Sequence, residues 1–366
     1  MKIESISTHT LGVPLGDKVF HSSQARFPER NSCLVRIETD SGIVGWGEGG
    51  QYGPSEPVAA CINHVFGPKI LGRDPTEPVR IWEELYSFSR DFGQKGTYIE
   101  ALSAIDIALW DISGKALGVP VWKLLGGAFR RKIKSYATGC YYPERFDNLD
   151  KLLRGAEAEA ASYRDAGFDF VKVKIGLLDI RSDAERLRVI RHSLGPEVGI
   201  MVDANHAYSA ATAIRMGKDT VGSENPVPVA GGEAEFTRYG FRDLIGGGCV
   251  DVAQPDLTVY GGFTAFTQIL ALANAHGTIV IPHVWGSGIA FAAALQAIAT
   301  IPPIPHTANP IPLQNEPVIE FDRTHNPLRD DLLNERFALV DGHVVVPDGP
   351  GLGISVNDEV LTRYSS

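Results

Sequence analysis

Cysteine is scarce in this chain, and what there is lies scattered. Cys33, Cys61, Cys140 and Cys249 are the only four in 366 residues and form no C-x-x-C pair. That spacing excludes a zinc ribbon, a thioredoxin-type motif and a dense disulfide framework, and it predicts reduced core thiols. Long apolar runs are also missing. None approaches the roughly 20 residues of a membrane span, and the opening MKIESISTHT lacks the apolar core of a secretory leader. A soluble, cytoplasmic protein with no membrane partner is expected. Basic charge is in deficit, since 34 Lys and Arg against 44 Asp and Glu leave a net charge of −10. Nucleic acid and anionic lipid are therefore poor candidates as partners. With 44% hydrophobic and 21% charged residues the composition is that of a globular protein, and its length accommodates a barrel with an appended domain.

The first 130 residues differ in pattern from the rest. Residues 2–13 alternate as a strand, and CLVRIETDSGIVGWGE has the form of a hairpin turning at Asp40-Ser41-Gly42. Helical stretches follow at about 56–70, 78–90 and 96–118, where Ala101, Ile105, Ala108 and Ile112 recur at helical spacing and Gly118-Val119-Pro120 stops the run. This is an α+β module. From about Lys132 strand and helix alternate, which implies parallel strands with right-handed crossovers. The expected architecture is an α+β capping domain (1–130), a (β/α)8-type, TIM-like barrel (131–345) and a tail (346–366) that packs back on the cap.

Five short apolar runs in the second half end in chemically capable residues: VKVK (171–174), IMVDAN (200–205), VPVAGGE (227–233), VDVAQPD (250–256) and IVIPH (279–283). Buried parallel strands are near-continuous apolar runs, and the active groups of a barrel enzyme sit at the C-terminal ends of several strands. Lys172 and Lys174, two apart on a strand, share a face with Cα atoms roughly 6.6 Å apart. Two ammonium groups so close, and buried, are expected to depress a lysine pKa from its usual ~10.4 and make a base usable near neutrality. Asp203 and Glu233 end two other runs, and such hard oxygen donors suit Mg²⁺. Asp256 and His283 close successive strands, so that a carboxylate can hold one imidazole nitrogen and raise the basicity of the other. Glu320, in VIEFD, ends a candidate eighth strand and is expected to contact substrate. Asn205 stands two positions after Asp203, in DAN. Polar His21, Ser22, Gln24 and Arg26 in the loop FHSSQARF, together with GGQYGP (49–54), suit a polyhydroxy anionic ligand.

The ordered set KxK, DAN, GGE, QPD and PHVWG behind an α+β cap resembles the enolase superfamily, mandelate racemase subgroup, over almost the whole chain. The stretches DANHAY, PVAGGE, QPDL, PHVWGSG, EFDRTHNP and PDGPGLGI are most similar to the lactone cycloisomerases and acid-sugar dehydratases of that subgroup. The resemblance implies Mg²⁺ held by Asp203, Glu224 and Glu233, Lys174 as the base that removes an α-proton, Lys172 as its tuning neighbour, and His283 with Asp256 as the opposite acid/base dyad. His21, Arg26, Asn205 and Glu320 are then candidate substrate contacts. The implied partner is a small acid sugar or its lactone, and the protein is expected to be a homo-oligomer.

The chain departs from that pattern between DANHAYSAATAIRMG and PVAGGE, where only KDTVGSENPV intervenes. Glu224, in SENP, stands where the resemblance puts the second metal ligand, but nine positions to Glu233 cannot hold the helix of a full βα unit, since a parallel crossover takes at least about 10–12 residues. The barrel is expected to lack part of one unit, with a disordered or extended crossing between about Met216 and Pro228 and with Glu224 away from any ion on Asp203 and Glu233. Three readings follow: a lactone cycloisomerase or dehydratase, a metal-impaired acid-sugar binder, and a racemase or epimerase using the lysine and histidine on opposite faces.

Overall fold

The computed structural model describes residues 1–50, 53–146, 148–221 and 227–365. Strands β1 (Ile3–Pro14), β2 (Glu29–Thr39) and β3 (Val44–Gly49) form an antiparallel meander. The turn between β2 and β3 falls at 40–43, as the hairpin signal requires. Residues 56–70 are helical with a π turn at Ile62–Phe66 in the middle. Helices α1 (Pro78–Ser89) and α2 (Thr97–Leu117) complete the cap, and Gly118 ends α2 with its φ at 67°. A Cβ on Gly45, Gly47 or Gly49 would lie within 2.3 Å of a backbone oxygen of α2, so the alternating glycines of β3 let sheet and helix meet backbone to backbone. Alternation then turns Trp46 and Glu48 to the other face of the strand.

Beyond Lys132 come β4 (Lys132–Gly139), β5 (Phe170–Lys174), β6 (Gly199–Asp203), β7 (Ala230–Gly231), β8 (Val252–Ala253), β9 (Ile279–Val280) and β10 (Ile319–Asp322). They pair in two parallel runs, β10-β4-β5-β6 and β7-β8-β9. Between them lie α3 (Leu149–Asp165), α4 (Ile180–Leu194), α5 (Ala210–Val221), α6 (Thr237–Gly246), α7 (Gly262–His276) and α8 (Gly288–Ala299). This is the succession of a (β/α) barrel. Among the described residues, β6 pairs only with β5 and β7 only with β8.

The short segment differs from expectation. Instead of an extended chain from Met216, α5 runs to Val221, with the Ser209 hydroxyl accepting from Thr212 N at its start and Met216 buried. The expected crossing beyond Val221, and Glu224 with it, lies outside the described residues as far as 226. Before the tail, Leu339–Val340 and His343–Val345 form a hairpin whose second strand pairs with β4, while in the tail Gly351 bridges Pro120 and Ser365 bridges Leu11 of the cap. The thiol expectation holds for Cys33, Cys61 and Cys140, which are buried. Cys249 is exposed, because it follows the three-glycine turn that ends α6. No helix among the described residues is long and apolar enough to cross a membrane.

Candidate active site

The strands and the turns that follow them bring seven of the expected residues together. Lys172 and Lys174 lie on one face of β5, and Lys174 Nζ donates to Asp203 Oδ2 at 2.6 Å, with Lys172 Nζ 3.5 Å from the same oxygen. Lys172 forms its closer ion pair, 2.6 Å, with Glu320, which lies within β10 rather than at its end. Glu320 also accepts from the Thr138 hydroxyl at 2.6 Å and the Tyr136 hydroxyl at 3.2 Å, both on β4. His283 Nδ1 is 2.7 Å from Asp256 Oδ2, and the other oxygen of Asp256 accepts from Thr258 N and its hydroxyl. Since that carboxylate is a pure acceptor, Nδ1 carries the proton. His283 Nε2 faces Glu233 at 3.4 Å and Glu320 at 3.8 Å. Glu320 therefore stands between the lysine pair and the histidine dyad, and all but Asp203 and Glu233 are nearly sealed from solvent.

The charges bias one another strongly. Burial alone would lift the Glu320 carboxyl, but the Lys172 ammonium, with His283 and Lys174, overrides it and holds the group near 2. Burial lowers His283, yet Glu233, Glu320 and Asp256 outweigh it and raise the imidazole to about 9. Asp203, also buried, is held well below the carboxylate range by the two lysines. A depressed lysine pKa, expected of the pair, is not what this geometry produces at Lys172. Burial pulls it down, but Glu320, Tyr136, Asp203 and Glu233 raise it well above the usual value. The expectation weighed the second lysine and missed the carboxylates, which arrive from strands distant in sequence.

Other expected contacts are placed at the rim. His21 Nε2 is 3.1 Å from Glu144, and Arg26 pairs with the same carboxylate at 2.9 Å, so both are engaged by the loop after β4. Their loop nonetheless covers the site's edge, for the Ser23 hydroxyl donates to Ala204 O at 2.7 Å. Asn205, at a φ of 48°, donates its backbone N–H to Asp203 Oδ1, and its own side-chain oxygen is buried without a partner. Gln51 and Tyr52, in the second expected loop, lie outside the described residues. The sequence reasoning missed Tyr141. Its ring lies 5.3 Å from Lys174 Nζ, its hydroxyl is buried and unpaired, and it stacks in a cluster with Phe20, Phe27 and Trp285. Its position just past the end of β4 was the available signal.

For a divalent cation the donor chemistry is suitable: Asp203 and Glu233 are carboxylates at strand ends, the hard oxygen type that Mg²⁺ takes along with water and substrate oxygens. Glu224, the expected third donor, lies outside the described residues. Among those described, no group of three His, Cys, Asp or Glu is arranged to hold an ion.

Comparison with known proteins agrees with this layout. The profile for the mandelate racemase / muconate lactonizing enzyme N-terminal domain matches residues 11–126, and an enolase C-terminal domain-like profile matches 155–224 and, separately, 220–360. The chain is 42% identical to a D-galactarolactone cycloisomerase of Agrobacterium fabrum, covering 100% of this chain and 99% of that one. It is 35% identical to an arabinonate dehydratase of Saccharolobus solfataricus, covering 90% and 89%. The crystal structure of a 3,6-anhydro-D-galactonate cycloisomerase from Zobellia galactanivorans superposes with a TM-score of 0.84 at 34% identity, over 100% of both chains. A racemase from Streptomyces coelicolor, solved with bound magnesium, gives 0.84 at 26% identity, again over 100% of both. The Agrobacterium alignment spans 386 positions against 366 residues here, so about 20 of its positions have no counterpart in this chain. The C-terminal profile breaks at 220–224, where the sequence is short. With matches across both its cap and its strand-and-helix half, the chain belongs to the mandelate racemase / muconate lactonizing enzyme family of the enolase superfamily.

Proposed function

We propose that this chain removes the α-proton of an acid sugar and eliminates the β-oxygen, most simply as a galactarolactone-type cycloisomerase. The observation that carries the reading is the placement of Lys174 and the His283–Asp256 dyad on two sides of Glu320, in a chain 42% identical over its full length to a D-galactarolactone cycloisomerase. Lys174 takes the proton from the carbon beside the substrate carboxylate. The electron pair left there forms the double bond as the carbon–oxygen bond at the β-carbon breaks, and His283 gives the departing oxygen its proton. In a lactone that oxygen belongs to the ring, so the product stays in one piece. In an open acid sugar it is a hydroxyl and leaves as water, which is the dehydratase variant that the arabinonate dehydratase relative supports. Lys172 and Glu320 keep a fixed charge pair behind the reacting carbons. Asp203 and Glu233 would hold Mg²⁺, with Glu224 the third candidate. What the ion supplies when bound is neutralisation of the charge that develops on the substrate carboxylate. His21, Arg26 and Asn205 are proposed to meet the hydroxylated end of the ligand, His21 and Arg26 by exchanging Glu144 for substrate. The proposed domain limits are 1–130, 131–345 and 346–366, in a homo-oligomeric cytoplasmic protein.

The shortened segment supports a second reading, a metal-impaired acid-sugar binder. One experiment separates the two: incubation with aldarate lactones and aldonates in D₂O, with Mg²⁺ or with EDTA. The enzyme converts a lactone to a 3-deoxy-2-keto acid only with the metal. Binding without product or deuterium uptake in either buffer would leave the second reading. Deuterium in recovered substrate with no product would point to a racemase or epimerase.

A further inference from the structure

Glu48 is a fully buried carboxylate of the capping domain that touches nothing in the proposed chemistry, yet it ends on the segment that carries His283. The glycines of β3 face α2 and turn Glu48 toward the barrel. There it accepts from Ser287 N at 2.9 Å, the Ser287 hydroxyl at 2.5 Å and Ala290 N at 3.0 Å, and on its own side from the Ser32 hydroxyl at 2.7 Å. Two of these donors are first-turn amides of α8, which no intrahelical acceptor can satisfy. The contact spans 239 residues of sequence and lands four residues after His283. The intervening loop is held from other sides as well. The Arg30 guanidinium, also of the cap, lies 4.2 Å over the Trp285 ring, and Asn326 Nδ2 donates to Gly286 O at 3.1 Å. Gly286 is pressed so closely that a Cβ there would stand 2.4 Å from Glu48 Oε1.

We propose that Glu48 is a positioning residue: by pinning Ser287 and the start of α8 to the cap, it sets the His283 imidazole against the leaving oxygen. The segment Val284–Ser287 has no strand ladder of its own to hold it, since β9 ends at Val280. His283 itself is held beside Asp256 by its N–H, which donates to Pro255 O at 3.1 Å, and the clamp fixes the far end of the segment that follows it. Lys174 sits on β5, paired on both sides, and is independent of the clamp. This inference rests on the proton-transfer reading above, and it predicts that loss of Glu48 harms one half of that chemistry and spares the other.

The test is the ratio of elimination to α-deuterium exchange in D₂O for wild type, Glu48→Gln and Glu48→Ala. Both rates scale with the folded fraction, so the ratio cancels any loss of stability. Glu48→Ala is expected to lower the ratio at least about tenfold, because a misplacement of about 1 Å costs up to 10²-fold. Glu48→Gln retains one acceptor oxygen and should fall between. Gly286→Ala, which intrudes on the same contact, should act like Glu48→Ala. An unchanged ratio would make Glu48 a helix cap and nothing more, and would overturn the proposal. If wild type shows neither exchange nor elimination, the acid-sugar reading fails on its own. The clamp is then judged by amide hydrogen exchange across Val284–Ala290 and by the rate at which diethyl pyrocarbonate modifies His283. Both should rise at least about tenfold in Glu48→Ala, and no change in them would overturn the positioning role independently.

Discussion

On one flank of the site, Lys172, Lys174, Asp256, His283 and Glu320 are each at most 7% exposed, and every one has an oppositely charged partner within 2.7 Å. On the other flank, where β6 and β7 each have one paired neighbour among the described residues, Val202 is 46% exposed, Val227 49%, Val229 55% and Ile214 60%. The first flank is braced by the cap through Arg30–Asp322 and Glu48–Ser287, both buried. The second carries these apolar side chains exposed, beside the segment that is short between α5 and β7. The residues proposed for proton transfer and those proposed for metal binding thus stand in unequal settings. The groups proposed to handle protons are buried and paired, the preorganised setting that electrostatic catalysis requires, whereas Asp203 and Glu233 are the more exposed of the cluster.

The largest expected effect tests the braced flank. Lys174→Ala should reduce turnover by about 10²–10⁴, the usual contribution of a positioned base. Thermal stability should change little, because Asp203 keeps Lys172 at 3.5 Å. A variant with wild-type turnover would remove Lys174 from the chemistry and with it the case for this flank. His283→Asn comes next. Elimination should fall by about 10²-fold while α-proton exchange through Lys174 persists, as seen by mass spectrometry of substrate recovered from D₂O. Loss of both would assign the base to His283 and reverse the two roles.

The third prediction addresses the open flank. Millimolar Mg²⁺ should raise the melting temperature, by an amount equivalent to about 2.7 kcal/mol if the ion reaches a hundredfold excess over its Kd. Asp203→Asn and Glu233→Gln should each abolish the shift. A melting temperature indifferent to Mg²⁺ and to EDTA would mean that the shortened segment has cost the chain its metal, and the contrast between the flanks would then be complete.

Much of the braced flank was legible in the sequence because each candidate residue lies on a strand or within three residues of its end. VKVK, QPD, PH and VIEF state both the residue and its side of the strand, and period-two geometry does the rest. What connects those ends was not legible. Glu320 reaches Lys172 across 148 residues of sequence, so the charge that raises the Lys172 pKa has no local signature. Glu48 looks like one more acid at the end of a hairpin until α8 is brought against it. The helix through Val221 was also misjudged, since a count of residues between two strands limits what can fit but does not say where the first helix stops.

The smallest predicted effect concerns a second cap carboxylate, Asp106 of α2, which braces the barrel as Glu48 does. It accepts from Thr264 N at 2.9 Å and the Thr264 hydroxyl at 2.5 Å near the start of α7, in a fully buried setting. Burial is the dominant influence and pushes its carboxyl up to about 7, despite those hydrogen bonds. A carboxyl with a folded pKa above its unfolded value of about 3.9 holds its proton more tightly when folded. Its stabilising contribution is therefore fully present below about pH 4 and declines as pH rises to about 7. Between pH 6 and 8 the fall is about 1 kcal/mol, because the slope flattens once the folded-state carboxyl has ionised. Urea midpoints at pH 6 and 8 should show wild type less stable at the higher value, and Asp106→Asn, which cannot ionise, should lose that part of the decline. An equal decline in both proteins would mean that Asp106 stays charged in the fold, stabilised by Thr264 and the first turn of α7 more strongly than burial opposes it.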